Sequence, residues 1–184
     1  MKIKLFYRLT LICFSLIFLR HINTKPVSLV AHAMGSINGF KYTNTIEAFE
    51  KNKPYFNTFE VDLRRLPDGE IICFHDKESI LKLFRITNIN IERKKDLEII
   101  ASDNNYQFCD IKKLFLLSEK NPNIKFIIDF KGKNKVLDLY KEIIADNPKA
   151  KNFIIPQIYL DIEFNSIKNL GFEEIIFSFY RPPE

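Results

Sequence analysis

Residues 27–76 read VSLVAHAMGSINGFKYTNTIEAFEKNKPYFNTFEVDLRRLPDGEIICFHD, and their reading decides the fold. VSLVAH (27–32), FNTFEVDL (56–63) and EIICFHD (70–76) are short apolar runs ending in polar groups, the pattern of buried strands. TNTIEAFEKN (43–52) has helical spacing, with Thr43 or Asn44 as N-cap and Glu47 in the first turn. A strand, a helix and a strand in this order form a βαβ unit, the building block of parallel sheets.

Neighbouring side chains on a strand point to opposite faces. Glu60 and Asp62 therefore share one face and Phe59, Val61 and Leu63 the other. In the first run His32 aligns with Val30, and in the third His75 aligns with Cys73, which places Cys73 inside the barrel. Each run carries its ionisable group near its C-terminal end, where a β/α barrel keeps its chemistry. Two histidines and two carboxylates from three neighbouring strands are expected to converge on one mouth.

These residues also carry a resemblance. AHAMG, NTIEAFE, FEVD and LPDGEIICFHD, in that order and spacing, resemble the glycerophosphodiester phosphodiesterase family of phospholipase-C-like barrels. The later FIIPQIY and GFEEIIFSFYR stretches resemble a bacterial branch of that superfamily with HAxG in place of the usual HRG. The resemblance implies a TIM-type (β/α)8 barrel. It also implies catalytic His32 and His75, metal-binding Glu60 and Asp62, and on the fourth strand a third metal carboxylate at Asp129 followed by a phosphate-binding Lys131. Gln157, on the fifth strand, is a further candidate for substrate binding. Most of the family has Arg directly after the first histidine, where this chain has Ala33.

The bounds agree with one domain. The chain has 184 residues, 46% of them hydrophobic, and a formal charge of +5, enough for a substantial core. Scattered lysines account for the charge, and without a dense basic patch interleaved with aromatics nucleic acid is not an expected partner. Lys2, Lys4 and Arg8 precede an apolar run from Leu9 to Leu19. This has the form of a signal peptide or N-terminal membrane anchor over residues 1–25, and predicts an extracytoplasmic protein, secreted or membrane-anchored. No cysteine spacing marks a metal site, and sequence alone does not pair Cys73 with Cys109.

The loop after His32 contains Gly35 and Gly39. It either brings backbone N–H groups to a phosphate or forms a plain turn. Pro67-Asp68-Gly69 is a tight turn between the second and third strands, short enough for a hairpin. The resemblance implies instead that Glu60 and Asp62 lie near the C-terminal end of the second strand, which would need a crossover. Residues 77–108 read either as an insertion over the barrel mouth or as a solvated loop with one short helix. Asp110 caps a helix, and 123–131 is the fourth strand. A helix follows over 136–145, a fifth strand over 153–159, a helix from Asp161 ended by Gly171, and a sixth strand over 174–180. Six strands are fewer than the eight of a closed barrel, so the barrel is expected to be incomplete at its C-terminal side.

Glu60, Asp62 and Asp129 are hard oxygen donors suited to Mg²⁺ or Ca²⁺. The expected activity is metal-dependent hydrolysis of a small-molecule or lipid phosphodiester, a glycerophosphodiester or related lipid head group, with His32 and His75 as base and acid respectively. Two other readings stand beside it. One is a phospholipase directed at phosphoinositides or sphingolipids at a membrane, and the other is a non-catalytic, incomplete barrel.

Overall fold

The computed structural model describes residues 28–131 and 136–179. The leader expected over 1–25, the residues after 179 and the first residues after Lys131 lie outside that range. No helix among the described residues is long and apolar enough to cross a membrane.

The element order is β1 (Val30–Ala31), a 3-10 turn (His32–Met34), α1 (Ile46–Asn52), β2 (Thr58–Arg65), β3 (Ile71–Cys73), α2 (Lys77–Phe84), α3 (Lys94–Asp103), α4 (Ile111–Lys120), β4 (Lys125–Lys131), α5 (Val136–Asp146), a 3-10 turn (Pro148–Asn152), β5 (Ile154–Ile158), α6 (Asp161–Lys168) and β6 (Ile176–Phe177). β1, β2, β4, β5 and β6 pair in that order, all parallel, into a curved wall. The described residues form a partial (β/α) barrel, the fold that the resemblance implies, with the parallel sheet that the apolar runs predict.

Period-two alternation on β2 divides the wall. Phe59, Val61 and Leu63 are fully buried in the main core with Phe49 of α1 and Phe126 of β4. The Phe49 and Phe59 rings lie 4.8 Å apart, centroid to centroid. Burying side chains of this size stabilises by roughly 1.5–3 kcal/mol each. Glu60 and Asp62 take the opposite, inner face.

Several expectations need correction. β3 is not a wall strand but pairs antiparallel with β2, with Leu63 opposite Cys73 and Arg65 opposite Ile71. The Pro67-Asp68-Gly69 turn thus makes a hairpin, with Gly69 at φ 90° and its N–H bonded to the Leu66 carbonyl. That removes the need for a crossover. β2 runs on to Arg65, so Glu60 and Asp62 sit mid-strand. Cys73 does not line the barrel interior; it forms a disulfide with Cys109 across a Cα–Cα distance of 5.1 Å. α1 is capped by Thr45, whose hydroxyl accepts from the Ala48 N–H, and not by Thr43 or Asn44.

Residues 77–108 form neither a bare loop nor a single helix. α2 and α3 pack with the hairpin around a second core of Leu66, Ile72, Phe74, Ile80, Phe84 and Leu97. Asp110 caps α4 as expected, accepting from the Lys113 N–H at 2.7 Å. Gly171, at φ 93°, follows α6.

Candidate metal centre and active site

Strand register assembles the site. Val30 pairs with Thr58 and Ala31 with Phe59, so His32 emerges level with Glu60. Asp62 pairs directly with Asp129 across β2 and β4, so these carboxylates leave the same face at the same height. One ligand oxygen from each of Glu60, Asp62 and Asp129 lies within 4.8 Å of the others, and all three side chains are buried.

The Lys131 ammonium is the internal counter-ion. It sits 3.0 Å from Asp62 Oδ1 and 2.5 Å from Asp129 Oδ2. Burial works against its charge, yet Asp62 and Asp129 hold it well above the ordinary lysine range. Glu60 has no such partner. Burial first, and the neighbouring Asp62 second, push its carboxyl up to about 8, although the Ala33 N–H donates to Oε2 at 2.7 Å.

His32 opens the 3-10 turn, with Nε2 3.6 Å from Glu60 Oε2. Its side chain is 58% exposed, and desolvation of the part that faces the cluster lowers its pKa, against the pull of Asp62. His75 is held from three sides. Its Nδ1 bonds Asp76 Oδ2 at 2.7 Å, Arg64 Nη2 donates to its carbonyl at 2.9 Å, and the Tyr42 ring packs against it at 5.1 Å. The same Tyr42 ring meets His32 edge-on at 4.9 Å, so one aromatic side chain spans the two imidazoles. Asp76 also caps α2 through its other oxygen, accepting from Ser79. Despite burial, the Ser79 and His75 bonds keep its carboxyl below the usual range.

Gln157 is partly buried on β5 and donates to the Tyr159 hydroxyl at 2.7 Å. Burial, reinforced by Asp129, raises the Tyr159 phenol well above its usual range. The structure thus gathers His32, Glu60, Asp62, Asp129 and Lys131, brings His75 to them through Tyr42, and connects Gln157 through Tyr159. Sequence reasoning missed Tyr42, Asn44, Arg64 and Tyr159. Parity carried a signal for two of them: Arg64 shares a face with Glu60 and Asp62, and Tyr159 shares one with Gln157.

Among the described residues, four buried side-chain atoms lack a hydrogen-bond partner: Thr43 Oγ1, Asp62 Oδ1, Arg64 Nε and Asp129 Oδ1. Two of the four are carboxylate oxygens of the acidic cluster. Buried acceptors without donors are costly and mark places where a structure serves something beyond its own packing. Asp62 Oδ1 has the Lys131 ammonium 3.0 Å away, so that ground applies to Asp129 Oδ1, while all three carboxylates fit a hard divalent cation by donor chemistry.

Solved structures share this arrangement of elements. The chain matches a glycerophosphoryl diester phosphodiesterase from Parabacteroides distasonis with a TM-score of 0.60 and 17% identity, over 82% of this chain and 53% of that one. The fold is that of the glycerophosphodiester phosphodiesterase barrels. A protein assigned to the same activity from Galdieria sulphuraria gives 0.61 and 17% over 82% of this chain and 63% of its own. One from Silicibacter pomeroyi gives 0.54 and 9%, over 83% and 63%. The chain therefore spans between about half and two thirds of the length of these glycerophosphodiester phosphodiesterase neighbours. No family model and no curated protein sequence matches it.

Proposed function

We propose that the protein is a metal-dependent phosphodiesterase acting on glycerophosphodiesters or related lipid head groups. The observation that carries this reading is the register pairing of Asp62 with Asp129 beside Glu60, with both histidines at the same mouth. Glu60, Asp62 and Asp129 would hold Mg²⁺ or Ca²⁺. Such an ion, when bound, supplies charge stabilisation at the phosphoryl oxygen.

The remaining work falls to the chain's own groups. His32 accepts the proton of the substrate hydroxyl that attacks the phosphorus, and water then opens the cyclic diester so formed to complete hydrolysis. His75, oriented through Nδ1 by Asp76, presents Nε2 to protonate the leaving alcohol. The arrangement is that of a base and an acid on opposite sides of one phosphorus atom. Lys131 exchanges one of its carboxylate partners for a phosphate oxygen, and Gln157 with Tyr159 borders the substrate. The imidazoles stay apart because the Tyr42 ring lies between them.

The N-terminal charge-then-apolar pattern and the Cys73–Cys109 disulfide both support placing the protein outside the reducing cytoplasm. Hydrolysis of a glycerophosphodiester, measured by release of the free alcohol, tests the activity. Loss of turnover in EDTA and in His32→Ala is the expected result, and turnover that survives both overturns the reading.

A further inference from the structure

Asn44 is fully buried and adopts φ 50°, a left-handed conformation that Asn tolerates better than other side-chain-bearing residues. α1 does not need its side chain, because Thr45 supplies the cap. The amide is committed elsewhere. Its Nδ2 donates to Asp62 Oδ2 at 2.8 Å, and its Oδ1 accepts the Asp62 backbone N–H at 3.1 Å. The Asn44 backbone N–H donates to the Ala33 carbonyl at 3.1 Å, and the Ala33 N–H donates to Glu60 Oε2. Glu60, Ala33, Asn44 and Asp62 are thereby joined in one hydrogen-bonded circuit.

We infer that Asn44 is a positioning residue that fixes the Asp62 carboxylate for divalent-cation binding, an inference that rests on the metal-dependent reading above. With Oδ2 tied to the amide, Asp62 presents Oδ1 to Lys131 and to any ion. Only an amide donates and accepts in this way at neutral charge; Asp at this position sets carboxylate against carboxylate. The two ends of the E-x-D pair are registered to each other through the same turn that carries His32. Groups behind metal ligands in this way typically affect metal affinity by about 10–100-fold.

Isothermal titration of the full chain with Mn²⁺ or Ca²⁺, below the melting temperature of each variant, tests the inference. Asn44→Gly keeps the left-handed backbone and its N–H while removing the amide. It is expected to weaken binding by about 10–100-fold. Thr45→Ala, next in sequence, removes the α1 cap and lowers thermal stability, and is expected to leave the dissociation constant within about two-fold, since its hydroxyl touches no ligand of the cluster. Unchanged affinity in Asn44→Gly, or an equal loss in Thr45→Ala, overturns the inference while the phosphodiesterase reading stands. A wild type that binds no divalent ion and cleaves no diester overturns both. If Asn44→Gly does not fold, the wild-type side chain carries the test by NMR: the Asn44 side-chain amide protons are expected to exchange slowly and to shift on metal addition. Fast exchange or an unmoved signal overturns the inference.

Discussion

In the β2–β4 wall, register pairs from Thr58–Lys125 to Arg64–Lys131 bring like charges side by side. In the annex of β3, α2 and α3, the interior is apolar throughout and a disulfide ties its strand to the segment before α4. Glu60, Asp62, Asp110 and Asp129 are the buried carboxylates among the described residues, and three of the four lie on the wall. The wall carries electrostatic cost where binding occurs; the annex supplies His75 from a region stabilised by packing. The two regions still meet, since Tyr42 touches both imidazoles and Arg64 of β2 donates to the His75 carbonyl.

The largest expected effect tests whether the annex contributes to chemistry at all. His75→Ala is expected to lower kcat by about 10²–10⁴-fold with little change in melting temperature; a full-rate variant in a stopped diester assay removes the annex from the mechanism. Lys131→Met probes the wall. Without metal it leaves Asp62 and Asp129 buried and uncompensated, which is expected to cost about 3–5 kcal/mol by urea denaturation. Millimolar divalent ion is expected to restore much of that stability, since a ligand bound only by the native state stabilises it.

Reduction of Cys73–Cys109, which closes a loop of 36 residues, is expected to cost about 3–4 kcal/mol. Limited proteolysis then should cut first within 77–108, and cleavage that begins in the wall instead would show that the disulfide holds the wall. The smallest effect concerns Asp110, which caps α4 and pairs with Lys94 at 2.5 Å. Its carboxyl is lowered against burial by those bonds. A lowered folded-state pKa contributes stability above the ordinary carboxylate range, and that contribution is lost as pH falls through the lowered value. Asp110→Asn is expected to cost about 1–2 kcal/mol at neutral pH and to flatten the acid limb of the stability profile.

What the sequence revealed depended on range. The faces of β2 followed from alternation, because Phe59, Val61 and Leu63 against Glu60 and Asp62 is a local signal of period two. Asp129 and Lys131 share a face by the same alternation, but their roles came from the family resemblance alone. The hairpin was open as a possibility from the short turn, but the expectation that Glu60 and Asp62 end their strand argued against it. β2 in fact runs three residues past Asp62, to Arg65. The cap of α1 was misplaced because Thr43, Asn44 and Thr45 all belong to the residue types that cap helices. What separates them is tertiary: Asn44 spends its amide on a residue 18 positions away. Cys73 with Cys109, and Tyr42 between the imidazoles, are likewise long-range facts with no periodic trace.

The residue after His32 reaches Glu60 through its peptide N–H alone, while its methyl group is fully buried. That anchor belongs to the main chain, although the buried position and a φ of 49° limit which side chains can stand there. Under the proposed reading, a substitution accepted at position 33 would alter the mouth of the site while the peptide N–H kept its hold on Glu60.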